Sequence, residues 1–379
     1  MHFELSDERR MLADTARRFI ADRYDIKTRH ANAARDEGFN RETWAALADL
    51  GLIGALLPPE VGGFGGAGED IAVVFESLGQ GLVVEPFLAT GILGAQPIAL
   101  AGSDAQKALL EEVIAGNLLL ALAHGEPDSR YETARVSTRA ERSGDGWKIN
   151  GSKAVVLNGD SADKLVVSAR TSGDTTDTGG ISLFLVDATA AGVARRGYGN
   201  VDGGHAAEVT LKDVTVGADA LIGQEGAGFE TIEATYARGV IALAAESFGA
   251  LEVARDMTLE YLKTRKQFGR TLGTFQALQH RMVDLCIEIE QVRSAILLAI
   301  STLDADRRTR ELNVSAAKNL LGRVNRLVAE ETIQLHGGMA MTWEYPLGHY
   351  AKRLTMIDHQ LGDTDYHLQR YIDLSNSAA

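Results

Sequence analysis

At 379 residues the chain is long enough for two or three domains, or for one multilayer unit with a core deep enough to hold a dry cofactor pocket. Hydrophobic residues at 45% and charged residues at 24% are the balance of an ordered globular protein and exclude a disordered one. The formal net charge of -14 lacks the basic face that nucleic acid requires and is repelled on average by anionic membranes, so neither partner is expected.

Residues 1–8 show neither a basic nor an apolar leader, and no run reaches the roughly 18 apolar residues of a membrane span, so a cytoplasmic location is expected. Cys286 is the only cysteine, which rules out an intrachain disulfide. Its apolar helical setting predicts a buried, inert thiol. No metal is expected.

In chain order, Ser6 is placed to cap a helix whose apolar stripe runs through Leu12, Ala13, Ala16, Phe19 and Ile20. Trp44, Leu47, Leu50 and Leu52 form a second stripe that stops at Pro58-Pro59. Residues 59–66 are expected to be a shaped loop, because proline lacks the amide donor and glycine permits positive φ. Helical patterning resumes over about 69–82 and again over about 89–115. From about Leu118, short β-branched runs separated by Gly, Asp and Asn predict an antiparallel β-domain, with strands at 136–138, 147–149, 154–157, 165–168, 181–186, 208–211 and 214–216. The polar hairpin loop at 173–180 is expected to be mobile. Three long helical stretches follow, about 229–264, 275–303 and 310–336, with a closing amphipathic segment at 367–374. Such helices need one another to bury their apolar faces, which predicts a four-helix bundle. The expected fold is α+β, with an N-terminal α-helical domain over 1–116, a central antiparallel β-domain over 117–226 and a C-terminal bundle over 227–379.

Three clusters near the C-terminus combine turn glycines with groups suited to an anion or a planar ring. Arg265-Lys266-Gln267-Phe268-Gly269, followed by Phe275-Gln276, ends one long helix and opens the next; a routine basic C-cap is the competing reading. Gln334-Leu335-His336-Gly337-Gly338 allows close backbone approach to a ligand or merely stops a helix. Leu361-Gly362-Asp363-Thr364-Asp365 breaks the chain before the last helix, where Thr364 or Asp365 would serve as a plain N-cap.

In this order, together with Pro59-Glu60-x-Gly62-Gly63 and Gly146-Trp147-x-x-Asn150-Gly151-x-Lys153, the clusters resemble the acyl-CoA dehydrogenase family over essentially the whole chain. The resemblance implies FAD, lying between the β-domain and the bundle and completed by a neighbouring subunit. Arg265, Gln267, Phe268 and Gln276 would then reach a partner's cofactor, with Gln334, Gly337 and Gly338 at the same phosphate and adenine end. Thr364, Leu157 and Asn158 would complete the cofactor contacts, residues 154–158 lying beside the flavin ring and residues 122–129 lining the mouth of the site. The implied reaction is α,β-desaturation of an acyl-CoA thioester, a carboxylate taking the α proton while hydride passes to flavin N5. An electron-transferring flavoprotein is the implied electron acceptor, and a homo- or hetero-oligomer, a dimer of dimers, the implied assembly. Arg238 is a candidate for the CoA phosphates or a distal substrate carboxylate, weighed against a solvent-facing helix arginine.

The sequence departs from the family pattern at the base. Matching Thr364 to the family threonine puts Gly362 at the glutamate position, whereas a shift of one residue puts Asp363 there. The alternative position on the first long helix of the bundle holds Gly239. Asp363 is the candidate catalytic base, and Glu246 is expected to be a paired structural carboxylate. The flavin loop keeps only Glu126-Pro127 and Ser129, and Val155 and Leu157 stand where a tryptophan and a threonine usually flank the flavin. These losses resemble the small subunit of pimeloyl-CoA dehydrogenase and the partner subunits of heteromeric acyl-CoA dehydrogenases. They imply a heteromer in which this chain builds FAD sites and a homologous chain supplies the base.

Overall fold

In the computed structural model, which describes residues 5–376, the Ser6 hydroxyl accepts the Arg9 amide at 3.3 Å and starts α1 (Asp7–Arg23), as the capping pattern predicts. The helices that follow are α2 (Ile26–Ala33), α3 (Arg41–Asp49), α4 (Gly68–Gly81), α5 (Ala95–Ala101), α6 (Asp104–Ile114), α7 (Gly228–Thr264), α8 (Gln276–Ser301), α9 (Arg307–His336), α10 (Leu347–Asp358) and α11 (Thr364–Asn376). The chain divides into two compact units. One gathers the residues up to Arg29, Ile71–Val83 and the chain from Val240 onward; the other holds His30–Asp70 and Val84–Gly239.

In the first unit α9 lies at the centre, packed against α8, α10 and α11. Its inward stripe includes Val314, Leu321, Val324 and Val328, all nearly inaccessible. Residues of α4 meet α7 backbone to backbone, since a side chain on Gly79 would collide with the Glu246 carbonyl and one on Gly249 with that of Glu76. The bundle therefore has more members than the four expected, because α10 carries too short a stripe to stand out in the sequence. Cys286 is half-buried rather than buried. It sits on the outward edge of α8 beside Leu259, Met282, Val283 and Ile287, lining an open apolar groove of about 730 Å³.

The second unit carries an eight-stranded sheet of β1 (Leu120–Ala123), β2 (Arg139–Ser143), β3 (Gly146–Leu157), β4 (Lys164–Arg170), β5 (Ile181–Asp187), β6 (Val193–Gly199), β7 (His205–Val216) and β8 (Leu221–Ile222). The order is β6-β7-β3-β2-β4-β5-β8, antiparallel except where β1 and one residue of β2 run parallel to β4. Trp147 and Phe184 meet edge to face, with centroids 5.2 Å apart, in a core completed by Leu165, Val167, Val209 and Val214. Asn150-Gly151 and Lys212-Asp213, which fall between expected strands, are instead facing irregularities within the long strands β3 and β7: the Asp213 amide donates to the Asn150 carbonyl-type side-chain oxygen at 2.7 Å. Four expected short strands are thus two long ones. Residues 136–138 are not a strand, because the Ser137 and Thr138 amides are diverted to the Glu126 carboxylate.

The 173–180 loop is not loose. The buried Arg170 guanidinium donates to the carbonyls of Thr175, Asp177 and Gly179, tying the loop to β4. Nor are residues 89–115 one helix. A fully buried π-helical stretch, Phe87–Gly94, leads into α5, and a Ser103–Gln106 capping box then restarts the chain as α6.

Candidate functional site

In the sheet-bearing unit, the last turnings of β3 carry the chemistry. Lys153 points inward and is fully inaccessible. Its ammonium donates to Glu126 Oε1 at 2.8 Å, Ser168 Oγ at 3.0 Å and the His124 carbonyl at 3.2 Å. Burial pulls the ammonium down to about 8 although Glu126 holds it up. Burial also pushes the Glu126 carboxyl up, but Lys153 and the Thr138 donors outweigh it and hold the carboxyl at about 2. His124 bonds Ser168 Oγ at 2.9 Å and meets Tyr236 edge to face; burial, then the Lys153 charge, keep it neutral, at about 3. The pair is thus ionised and the imidazole is not.

The two residues after Lys153 bulge outward opposite Glu208. The Ala154 amide is held by the Gly125 carbonyl at 2.8 Å, and Val155 adopts φ +52 with its side chain 60% exposed. A β-branched residue in the left-handed region is a true outlier, and such strain concentrates at functional sites. Leu157 and Asn158 follow, both half-buried, Asn158 at φ +49 with its amide on the His205 carbonyl. The sequence marked Lys153, Leu157 and Asn158; it gave no signal for Ser168 or for the strain at Val155, which depend on pairing across the sheet.

In the bundle unit, Lys266–Gln267 pairs antiparallel with Arg270–Thr271 around a two-residue turn, Phe268-Gly269. Both turn residues have positive φ, +54 and +79, as a type I′ turn requires. The turn lifts Phe268 until it is 89% exposed, with Arg265 and Gln267 exposed beside it. Its ring meets Phe275 edge-on at 6.3 Å, and the Arg270 guanidinium lies 3.9 Å from the Phe275 centroid, next to the exposed Gln276. Tyr261, one turn below Arg265, stacks on His336 at 4.4 Å. That contact brings the hairpin to the end of α9, where Gln334, Gly337 and Gly338 are all exposed, with Gly337 at φ +65 and open space where either glycine would carry a side chain. One end of the bundle therefore assembles seven of the expected cofactor residues.

Thr364 is not among them. Its carbonyl accepts from Asn319 and its hydroxyl donates to Asp358 at 2.8 Å, against the middle of α9 beside Gly322. Fifteen residues of helix separate that point from Gly337, roughly 22 Å at 1.5 Å per residue. The Asp363 carboxylate accepts the Tyr366 amide at 2.8 Å, so Asp363, rather than Thr364 or Asp365, caps α11. The loop before it is anchored by the buried Lys318 ammonium, which donates to the carbonyls of Ile357, Asp358 and Gly362. Buried His367 secures the other side through the Leu361 carbonyl. Glu246 is paired as expected, a buried carboxylate gripped by Arg353 Nε and Nη2 at 2.6 and 2.7 Å. Arg238 is half-buried, not solvent-facing, and reaches its own helix carbonyl at Ala234 at 3.4 Å.

The sequence matches the acyl-CoA dehydrogenase N-terminal domain over residues 6–117, the middle domain over 121–214 and the C-terminal domain over 226–371. Among solved structures, the Tcur3481-Tcur3483 steroid ACAD is 31% identical with a TM-score of 0.89, covering 98% of this chain and 99% of that one. The ChsE4-ChsE5 complex from Mycobacterium tuberculosis is 25% identical with a TM-score of 0.89, and the FAD complex of PigA 25% identical with a TM-score of 0.92; each covers 100% of both chains. The residues present fit such a dinucleotide. An arginine, exposed backbone at two glycines and a raised aromatic ring suit a diphosphate and an adenine, and a strained, outward bulge suits a planar ring system. The chain belongs to the acyl-CoA dehydrogenase family, and its cofactor is FAD.

Proposed function

We propose that the chain is a subunit of an acyl-CoA dehydrogenase that desaturates an acyl-CoA thioester between its α and β carbons, and that a second, homologous chain supplies the carboxylate that takes the α proton. One observation carries this reading: the carboxylates near both expected base positions are committed elsewhere. Asp363 caps α11, Glu246 is clamped by Arg353, and Gly362 and Gly239 occupy the positions themselves. The likeness to the Tcur3481-Tcur3483 enzyme and to the ChsE4-ChsE5 complex supports a heteromeric assembly.

When bound, FAD supplies the hydride acceptor. The chain's own residues bind, orient and dry the site. Arg265, Gln267, Phe268, Gln276, Gln334, Gly337 and Gly338 hold the diphosphate and adenine end of a neighbouring subunit's cofactor. Leu157 and Asn158, beside the Val155 bulge, bound the ring of the chain's own cofactor; Thr364, whose hydroxyl is given to Asp358, has no part in it. The Lys153–Glu126 pair fixes the bulge from within, so that ring contacts are set before substrate arrives. An α proton is too weakly acidic for a free carboxylate, and fixed donors at the thioester carbonyl in a water-excluded site lower that barrier. An electron-transferring flavoprotein is the proposed acceptor of the electrons.

The test is anaerobic stopped-flow reduction of bound flavin by a panel of acyl-CoAs, with product identified by mass spectrometry, for the chain alone and co-expressed with a homologue. Reduction and enoyl-CoA formation only in the mixed assembly is expected. Full turnover by this chain alone would return the base to it, with Asp363 first in line.

A further inference from the structure

The residue between the two arms of the bundle-end corner has no role in the reading above. His336 is buried at the last position of α9, immediately before Gly337. Its ring lies against Tyr261 with centroids 4.4 Å apart and planes 29° from parallel, and Tyr261 also offers its carbonyl to the Arg265 amide at 2.8 Å, at the foot of the Phe268 hairpin. Nδ1 donates to the Thr332 carbonyl at 2.8 Å, so Nε2 is left to accept the Tyr345 hydroxyl at 3.0 Å. One imidazole is thereby joined to α7, to α9 and to the segment beyond the paired glycines.

That arrangement determines more than local packing. The hairpin hangs from the C-terminal end of α7 by two short strands and carries almost no buried side chain of its own. Its distance from Gly337 and Gly338 is set by the contact at its foot. We propose that His336 is a positioning residue that aligns the Arg265–Phe268 hairpin with the Gly337-Gly338 backbone, so that both arms meet the diphosphate and adenine of one dinucleotide together. This rests on the reading that the corner holds the adenylate half of FAD. His336 need not touch the ligand; it fixes the separation of the groups that do, and a dinucleotide bound by two arms loses affinity when either swings away.

The test uses the FAD-loaded assembly, stripped and titrated with FAD, with ADP and, separately, with FMN, which lacks the adenylate half. His336→Ala is expected to weaken FAD and ADP by about tenfold or more, the scale of one lost well-formed hydrogen bond with its stack, and to leave FMN unchanged. His336→Phe, which keeps the stack, is expected to recover part of the loss. Tyr345→Phe, which removes only one hydrogen bond, covers the case in which His336→Ala fails to fold, and is expected to weaken FAD several-fold with the melting temperature preserved. Unchanged FAD and ADP affinity in the folded variants overturns the proposal, as does an equal loss of FMN, which would mark a general loss of structure. Arg265→Ala separates the two readings. If it weakens FAD while the His336 and Tyr345 variants do not, the positioning role fails alone; if it too leaves FAD untouched, the corner is not the adenylate site.

Discussion

Replacing Lys153 with methionine would remove an ammonium that is fully inaccessible and makes three hydrogen bonds, to Glu126, Ser168 and the His124 carbonyl. Glu126 would remain buried and ionised with only the Ser137 and Thr138 amides, at 2.7 and 3.0 Å, to compensate it. Breaking one side of a buried pair in this way costs about 3–5 kcal/mol, because the surviving charge loses its ionic partner with no water to replace it. At about 2 °C per kcal/mol for a large domain, the melting temperature should fall by roughly 6–10 °C. The effect should not stop at stability. Lys153 anchors the inner side of the Ala154–Val155 bulge, so the assembly should also lose flavin, measured as the ratio of absorbance at the flavin band to that of protein. A Lys153→Met variant that melts within about 2 °C of the parent and keeps its full flavin would refute the idea that this pair holds the bulge.

Other outcomes follow from the same geometry. His124 and His367 both sit at about 3 in the folded protein, each chiefly by burial, against 6.5 for an ordinary histidine. The unfolded chain therefore takes up protons that the folded chain refuses, and stability should rise with pH between about 3 and 6.5, by up to about 1.4 kcal/mol per pH unit for each ring. Urea titrations across that window should show a shallower slope for His367→Asn; an unchanged slope would count against its neutrality. Asp363→Asn keeps a capping acceptor and should leave flavin reduction in the mixed assembly intact, while Asp363→Ala should cost about 1 kcal/mol; a loss of a hundredfold or more in reduction by Asp363→Asn would make it the base after all. Glu246→Gln should lower the melting temperature with little change in the rate of flavin reduction, since its carboxylate is occupied by Arg353; the opposite pattern would place it in the chemistry.

What the sequence disclosed depended on the range of the forces involved. The Ser6 cap, the long helical stretch of α7 and the break at Gly337 are local, and were legible from spacing and turn residues; Gly269 is expected to end α7, but that helix stops at Thr264 and Gly269 turns the hairpin beyond it. The Asn150-Gly151 and Lys212-Asp213 irregularities read in the sequence as gaps between separate strands because a bulge and a strand break use the same residues, and only the pairing of β3 with β7 tells them apart. β6 was missed because its exposed edge position leaves Val193–Gly199 with no apolar alternation. Residues 136–138 have strand composition, but a distant carboxylate at Glu126 claims their amides. At the site, the residue types around Arg265 and Gly337 could be read. The stacking of Tyr261 on His336 that joins them could not, since nothing in the sequence fixes the angle between α7 and α9. The commitment of Asp363 to a cap likewise depends on where α11 begins.

The measurement that bears most directly on the account is a structure of the FAD-loaded assembly. The Arg265 guanidinium of one subunit should lie within hydrogen-bonding distance, about 3 Å, of the diphosphate of a cofactor whose ring rests beside the Val155 bulge of another. An Arg265 corner facing bulk solvent, with the dinucleotide bound elsewhere, would contradict it.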